Sequence, residues 1–188
     1  MRLSAAVLPP EPALQELVDV VRSVGPGTPE LDPVPLDAMC VPVTSFGHVA
    51  RRDAVGLATA LRDAAATWPR PKLYFAGGTA LEWPGDYAIW AKLAGDIDDL
   101  ATVGRGVPAA VQRLGFFVDR RRFRPWLSVG EITDVTTAPY LERLVAALDG
   151  FHGQPWILGD LCLLQRRPVE PGERERFEVL ERFPLGID

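Results

Sequence analysis

The chain has 188 residues, 47% of them hydrophobic and 24% charged, a balance that excludes a disordered or low-complexity protein. A net charge of −5 excludes a strong global field for nucleic acid, so any such binding has to rest on a local basic patch. No apolar run is long enough to cross a bilayer, and the N-terminal one is too short for a signal peptide, so no membrane role is expected.

Leu3 to Leu8 reads as a short strand stopped by Pro9 and Pro10, after which Leu14, Leu17, Val18 and Val21 recur at helical spacing. A Pro-rich loop from Gly25 to Leu36 leads into a strand at about Met39 to Phe46. Ala54, Ala58, Leu61, Ala65 and Trp68 mark one face of a second helix closed by Pro69. Lys72 to Phe75 and Tyr87 to Leu93 read as two strands of a long hairpin, in which Trp90 is expected to pack. Val107, Val111 and Leu114 support a third helix, preceded by Asp96, Asp98 and Asp99, carboxylates that suit a helix N-terminus. Leu127 to Ile132 reads as a strand, Leu141 to Leu148 as a fourth helix, and Trp156 to Leu164 and Phe177 to Phe183 as closing strands. Because several strands follow one another without a helix between them, the pattern predicts a mixed, largely antiparallel α+β fold rather than a doubly wound sheet.

Cys40 and Cys162 lie in apolar strand-like runs, which reads as two reduced core thiols and a cytoplasmic home. With His48 and His152 as the only histidines and no His or Cys pair at ligand spacing, neither a metal nor another cofactor is expected.

Two segments carry a family resemblance. Val34-Pro35-Leu36-Asp37-Ala38-Met39-Cys40-Val41-Pro42-Val43-Thr44-Ser45-Phe46-Gly47 and Phe123-Arg124-Pro125-Trp126-Leu127-Ser128 resemble the paired His-x-Thr motifs of the two-histidine (2H) phosphoesterases, the RNA 2′,3′-cyclic phosphodiesterase or 2′-5′ RNA ligase family. The tail, Trp156 to Gln165 followed by Phe177 to Leu185, is similar to that family's last two strands. The resemblance implies one bilobal domain over 1–188, with two pseudo-symmetric sheets around a central groove and helices outside.

The flanks match, but the reactive residues do not. Cys40 and Trp126 stand where the family has histidine, Pro42 and Ser128 where it has threonine, and Glu131 where it often has a phosphate-binding Arg. Hydrolysis of a cyclic phosphodiester needs one group to accept a proton and another to give one, which suits imidazole. An indole N–H does not titrate and proline has no side-chain donor. Strand alternation places Cys40, Pro42 and Thr44 on one face, and Trp126 with Ser128 on another, and these faces are expected to line the groove, with Thr44, Trp126 and Ser128 as candidates to contact a ligand. Arg120, Arg121, Arg122 and Arg124 form the densest basic run, the natural place to hold a phosphate or an RNA backbone. Trp126 is expected either to stack on a base or, more in keeping with an apolar site, to plug the groove.

The resulting expectation is a catalytically inactive relative whose groove takes a nucleotide or phosphate-ended RNA, or a protein partner. Two alternatives stand beside it: an active cyclic phosphodiesterase using Cys40 and Ser128, and a structural or regulatory protein with a filled groove.

Overall fold

The computed structural model describes residues 1–25, 27, 30–83, 86–115, 118, 122–167 and 176–186. In chain order it runs β1 (Arg2–Val7), α1 (Glu11–Val24), β2 (Leu31–Pro33), β3 (Val41–His48), α2 (Arg51–Ala65), β4 (Lys72–Trp83), β5 (Asp86–Gly95), α3 (Ile97–Val111), β6 (Trp126–Ile132), α4 (Ala138–Asp149), β7 (Trp156–Ile157), β8 (Asp160–Arg167) and β9 (Arg176–Pro184). The strands form two sheets, β3-β1-β8-β9 and β2-β6-β5-β4-β7, and the pairings within both are antiparallel. The antiparallel α+β content is what the strand and helix pattern predicts, and the two sheets are what the resemblance implies.

Each helix offers one apolar stripe, and those of α1 and α3 cross between the sheets. Helix α1 follows a strand of the first sheet, yet packs with α4 on β4 of the second. Helix α3 follows a strand of the second sheet, yet packs with α2 and against β3 of the first. Leu17 of α1, Leu57 of α2, Val107 of α3 and Leu144 of α4 are all fully buried in one continuous core that includes residues from both sheets. Burying a side chain of this size contributes about 1.5–3 kcal/mol, so the exchanged helices tie the two halves together.

The structure departs from the sequence expectation at four places. The loop before the first motif contains β2, three residues paired with β6, too short to show as a pattern. Strand β4 continues past Phe75 to Trp83 across an irregularity at Gly77 and Gly78, where Gly77 has φ of +92° and a Cβ on Gly78 would lie 2.7 Å from Leu148. Helix α3 begins at Ile97, at the Asp96, Asp98 and Asp99 cluster expected at a helix N-terminus, although its apolar spacing is legible only from Val107. Gly104, Gly106 and Pro108 weaken its helical signal, but the two glycines admit the Phe123 and Trp68 rings, which Cβ atoms there would meet at 2.4 and 2.6 Å. Finally, Trp156 to Leu164 is not one strand. It breaks at Leu158 and Gly159, with β7 joining the second sheet and β8 the first.

Candidate ligand-binding cleft

Strands β3 and β6 contact each other where the two sheets meet. There a cavity of about 910 Å³ opens, lined by Cys40 and Pro42 from the first motif and by Ser128 and Glu131 from the second. That volume lies within the ~300–1,000 Å³ typical of small-molecule sites. Cys40 and Phe177, which line the cavity, pack on a small apolar cluster of buried Ala6, Cys162 and Leu164.

Two bulges decide which side chains reach this space. In β6 the register steps from Ile89↔Gly130 to Trp90↔Ser128, leaving Val129 as the extra residue. Simple alternation would send Ser128 and Glu131 to opposite faces, and the bulge puts both in the cavity. In β3 the register steps from Ala6↔Pro42 to Ala5↔Thr44, so Thr44 pairs with a core residue. Thr44 is therefore corrected from a groove position to a buried one, 8% exposed and not among the lining residues.

The second motif is also arranged differently from the expectation. Trp126 pairs with Lys92 at the start of β6 and shares a face with Ser128, yet it stands beside the cavity and does not plug it. Its ring carries the Arg124 guanidinium 5.0 Å from the centroid and the Lys92 ammonium at 5.8 Å. Arg124 also lies 3.9 Å from Asp86, so this arginine is engaged within the chain. Arg122 is exposed and does not line the cavity. Arg120 and Arg121 lie outside the described residues.

Neither histidine reaches the cleft. His48 is exposed at the end of β3, and His152 stacks on Tyr74 with ring centroids 4.2 Å apart. Among the described residues no cluster of His, Cys, Asp or Glu is arranged to hold a metal ion.

Cys40 is half-buried at the cleft wall, and burial pushes its thiol up to about 11, against a weaker lowering by the Arg166 guanidinium. Cys162 is pushed up to about 12, chiefly by burial and then by the Asp160 carboxylate. Both are therefore thiols near neutrality. A protonated sulfur is a poor nucleophile and a weak proton acceptor, so the cleft holds no ready base at its first motif position.

Residues outside the two motif segments also line the site. Arg166 on β8 and Arg176 on β9 line the cavity from the first sheet, while Asp32 on β2 and Asp86 on β5 line it from the second. Trp90, expected only to pack a hairpin, also lines it and donates its indole N–H to Asp86 at 3.1 Å. Nothing near these residues marks them in the sequence, because strand pairing alone brings them to the motifs.

No family model and no curated protein matches the chain. Solved structures do. The TT0787 protein of Thermus thermophilus superposes with a TM-score of 0.75 at 20% identity, covering 100% of both chains. E. coli LigT complexed with 3′-AMP gives 0.75 at 18% identity over 98% of this chain and 97% of LigT. The chain has the LigT fold. A further solved phosphoesterase gives 0.70 at 18% identity over 98% of this chain and 97% of its own. LigT has also been solved with ATP, with NADP+ and with phosphate. No helix among the described residues of this LigT-fold chain is long and apolar enough to cross a membrane.

Proposed function

We propose that residues 1–188 form a bilobal domain of the 2H phosphoesterase superfamily that binds nucleotides or phosphate-ended RNA in its central cleft without hydrolysing them. The observation that carries this reading is the cavity itself. It gathers the motif positions Cys40, Pro42, Ser128 and Glu131 from two sheets, with no histidine among its lining residues.

Losing a general acid and a general base, each contributing roughly 10²–10⁴ in rate, removes most of what such a site needs to turn over a cyclic phosphodiester. Phosphate recognition survives better, because Arg166 and Arg176 offer charge-assisted hydrogen bonds and do not depend on an imidazole. The protonation of Cys40 counts against a Cys40–Ser128 phosphodiesterase, and the open cavity counts against a filled groove. A LigT-fold protein that binds 3′-AMP, ATP and NADP+ makes nucleotides the first class to test.

The test is equilibrium titration of the purified chain with 2′,3′-cyclic nucleotides and with RNA ending in a cyclic phosphate, followed by recovery of the ligand. Saturable binding with the ligand returned unchanged supports the reading. Absence of binding, or metal-independent opening of the ring, contradicts it.

A further inference from the structure

The cleft is polarised. Its guanidinium groups, Arg166 and Arg176, belong to the first sheet, and its carboxylates, Asp32, Asp86 and Glu131, all belong to the second. Between them the positions that would hold histidines contribute no charge: Cys40 is a protonated thiol and Trp126 stands outside the cavity. Among the described lining residues, a ligand lying across the cleft therefore meets guanidinium groups at the first-sheet end, while at the other end Arg124 is engaged with Asp86 within the chain.

We infer that the cleft selects a nucleoside monophosphate, with its single phosphate on the Arg166–Arg176 wall and its sugar and base against the carboxylates and the Trp90 indole. The inference rests on the nucleotide-binding reading and narrows it.

Each part of such a ligand meets a complementary group. A terminal phosphate suits two guanidinium donors. Ribose hydroxyls and base N–H groups are donors, and carboxylates accept. Trp90 is held by its bond to Asp86, so its indole is fixed as a stacking surface before the ligand arrives. The Glu131 carboxylate, at the position where the family often carries an arginine, repels any second phosphate that extends toward β6. Polyphosphates and a continuing RNA backbone place negative charge against this wall. A nucleoside lacks the phosphate, and inorganic phosphate lacks the donors and the ring, so each uses half of the site.

Calorimetric titration of the full chain with adenosine 3′-monophosphate, ATP, a short 3′-phosphorylated oligoadenylate, adenosine and inorganic phosphate tests this. The monophosphate is expected to bind best. ATP and the oligonucleotide should be weaker by roughly tenfold or more, as one added like charge within the cleft implies. Arg176→Gln, at the exposed start of β9, should weaken the monophosphate by roughly 10- to 100-fold and leave adenosine unchanged. Glu131→Gln, also exposed, should narrow the gap between monophosphate and ATP. ATP or oligonucleotide binding as tightly as the monophosphate, or an Arg176→Gln variant with unaltered affinity, overturns the inference while leaving nucleotide binding intact. If none of the nucleotides binds, the inference and the underlying reading fall together.

Discussion

Trp90 donates its indole N–H to the Asp86 carboxylate at 3.1 Å, four residues earlier on the same strand. The same carboxylate lies 3.9 Å from Arg124, whose guanidinium sits over the Trp126 ring. One acidic residue thus positions a tryptophan at the cavity wall and the cation that covers a second tryptophan beside it. The Arg124 ion pair is half-exposed and contributes little, whereas the Trp90 bond is partly buried. Asp86→Ala is expected to lose about 0.5–1.5 kcal/mol, and Asp86→Asn, which keeps an acceptor, less. Urea denaturation of both variants measures the difference.

The two thiols set a pH dependence. Their folded pKa values are raised above the ordinary value of 9.0, to about 11 for Cys40 and about 12 for Cys162. Above pH 9 the unfolded chain releases these protons while the folded one keeps them, so stability present below pH 9 falls as pH rises to 11 and beyond. Alkylation of Cys40 by iodoacetamide in the folded Cys162→Ser variant is expected to be slow at about pH 8 and to climb toward pH 11. A reaction already at its plateau by about pH 8 would show an activated thiolate.

Gly106 separates two opposing effects. Alanine in a helix interior is favoured over glycine by about 1 kcal/mol. Here, however, its Cβ would sit 2.6 Å from the ring of buried Trp68, and overpacking of this kind costs about 1–3 kcal/mol. Gly106→Ala is therefore expected to destabilise, and thermal unfolding gives the sign.

Thr137 caps α4, its hydroxyl accepting from the Tyr140 N–H at 3.4 Å and donating to the Glu30 carboxylate just before β2. Thr137→Ala is expected to cost about 1 kcal/mol, measured by the same urea titration.

How far the sequence could be read depends on the range of the interaction involved. Strands β6 and β9 and helices α1 and α4 show in local periodicity because each presents one apolar face, and β1 shows as a short run buried on both faces. In α3 the acidic cluster marks the start, but the apolar stripe is weakened where Gly104 and Gly106 admit Phe123 and Trp68 from elsewhere in the chain. The break between β7 and β8 is hidden in an apolar run whose halves serve different sheets. At the cleft, Cys40, Pro42, Ser128 and Glu131 can be found because they sit in or beside the two segments that carry the resemblance. Arg166, Arg176 and Trp90 cannot, because only pairing across β1, β8 and β9 or between β5 and β6 brings them there. The misplacement of Thr44 has a single cause: one bulged residue, Val43, reverses the alternation beyond it.

The central claim is that the cleft keeps its shape and its phosphate-binding charge without a proton-transferring pair. Its most direct test is the rate at which the unmodified chain hydrolyses adenosine 2′,3′-cyclic monophosphate in the presence of EDTA, followed by chromatographic separation of the products. The account predicts a rate indistinguishable from the uncatalysed one. Sustained turnover that disappears in Cys40→Ala would contradict it.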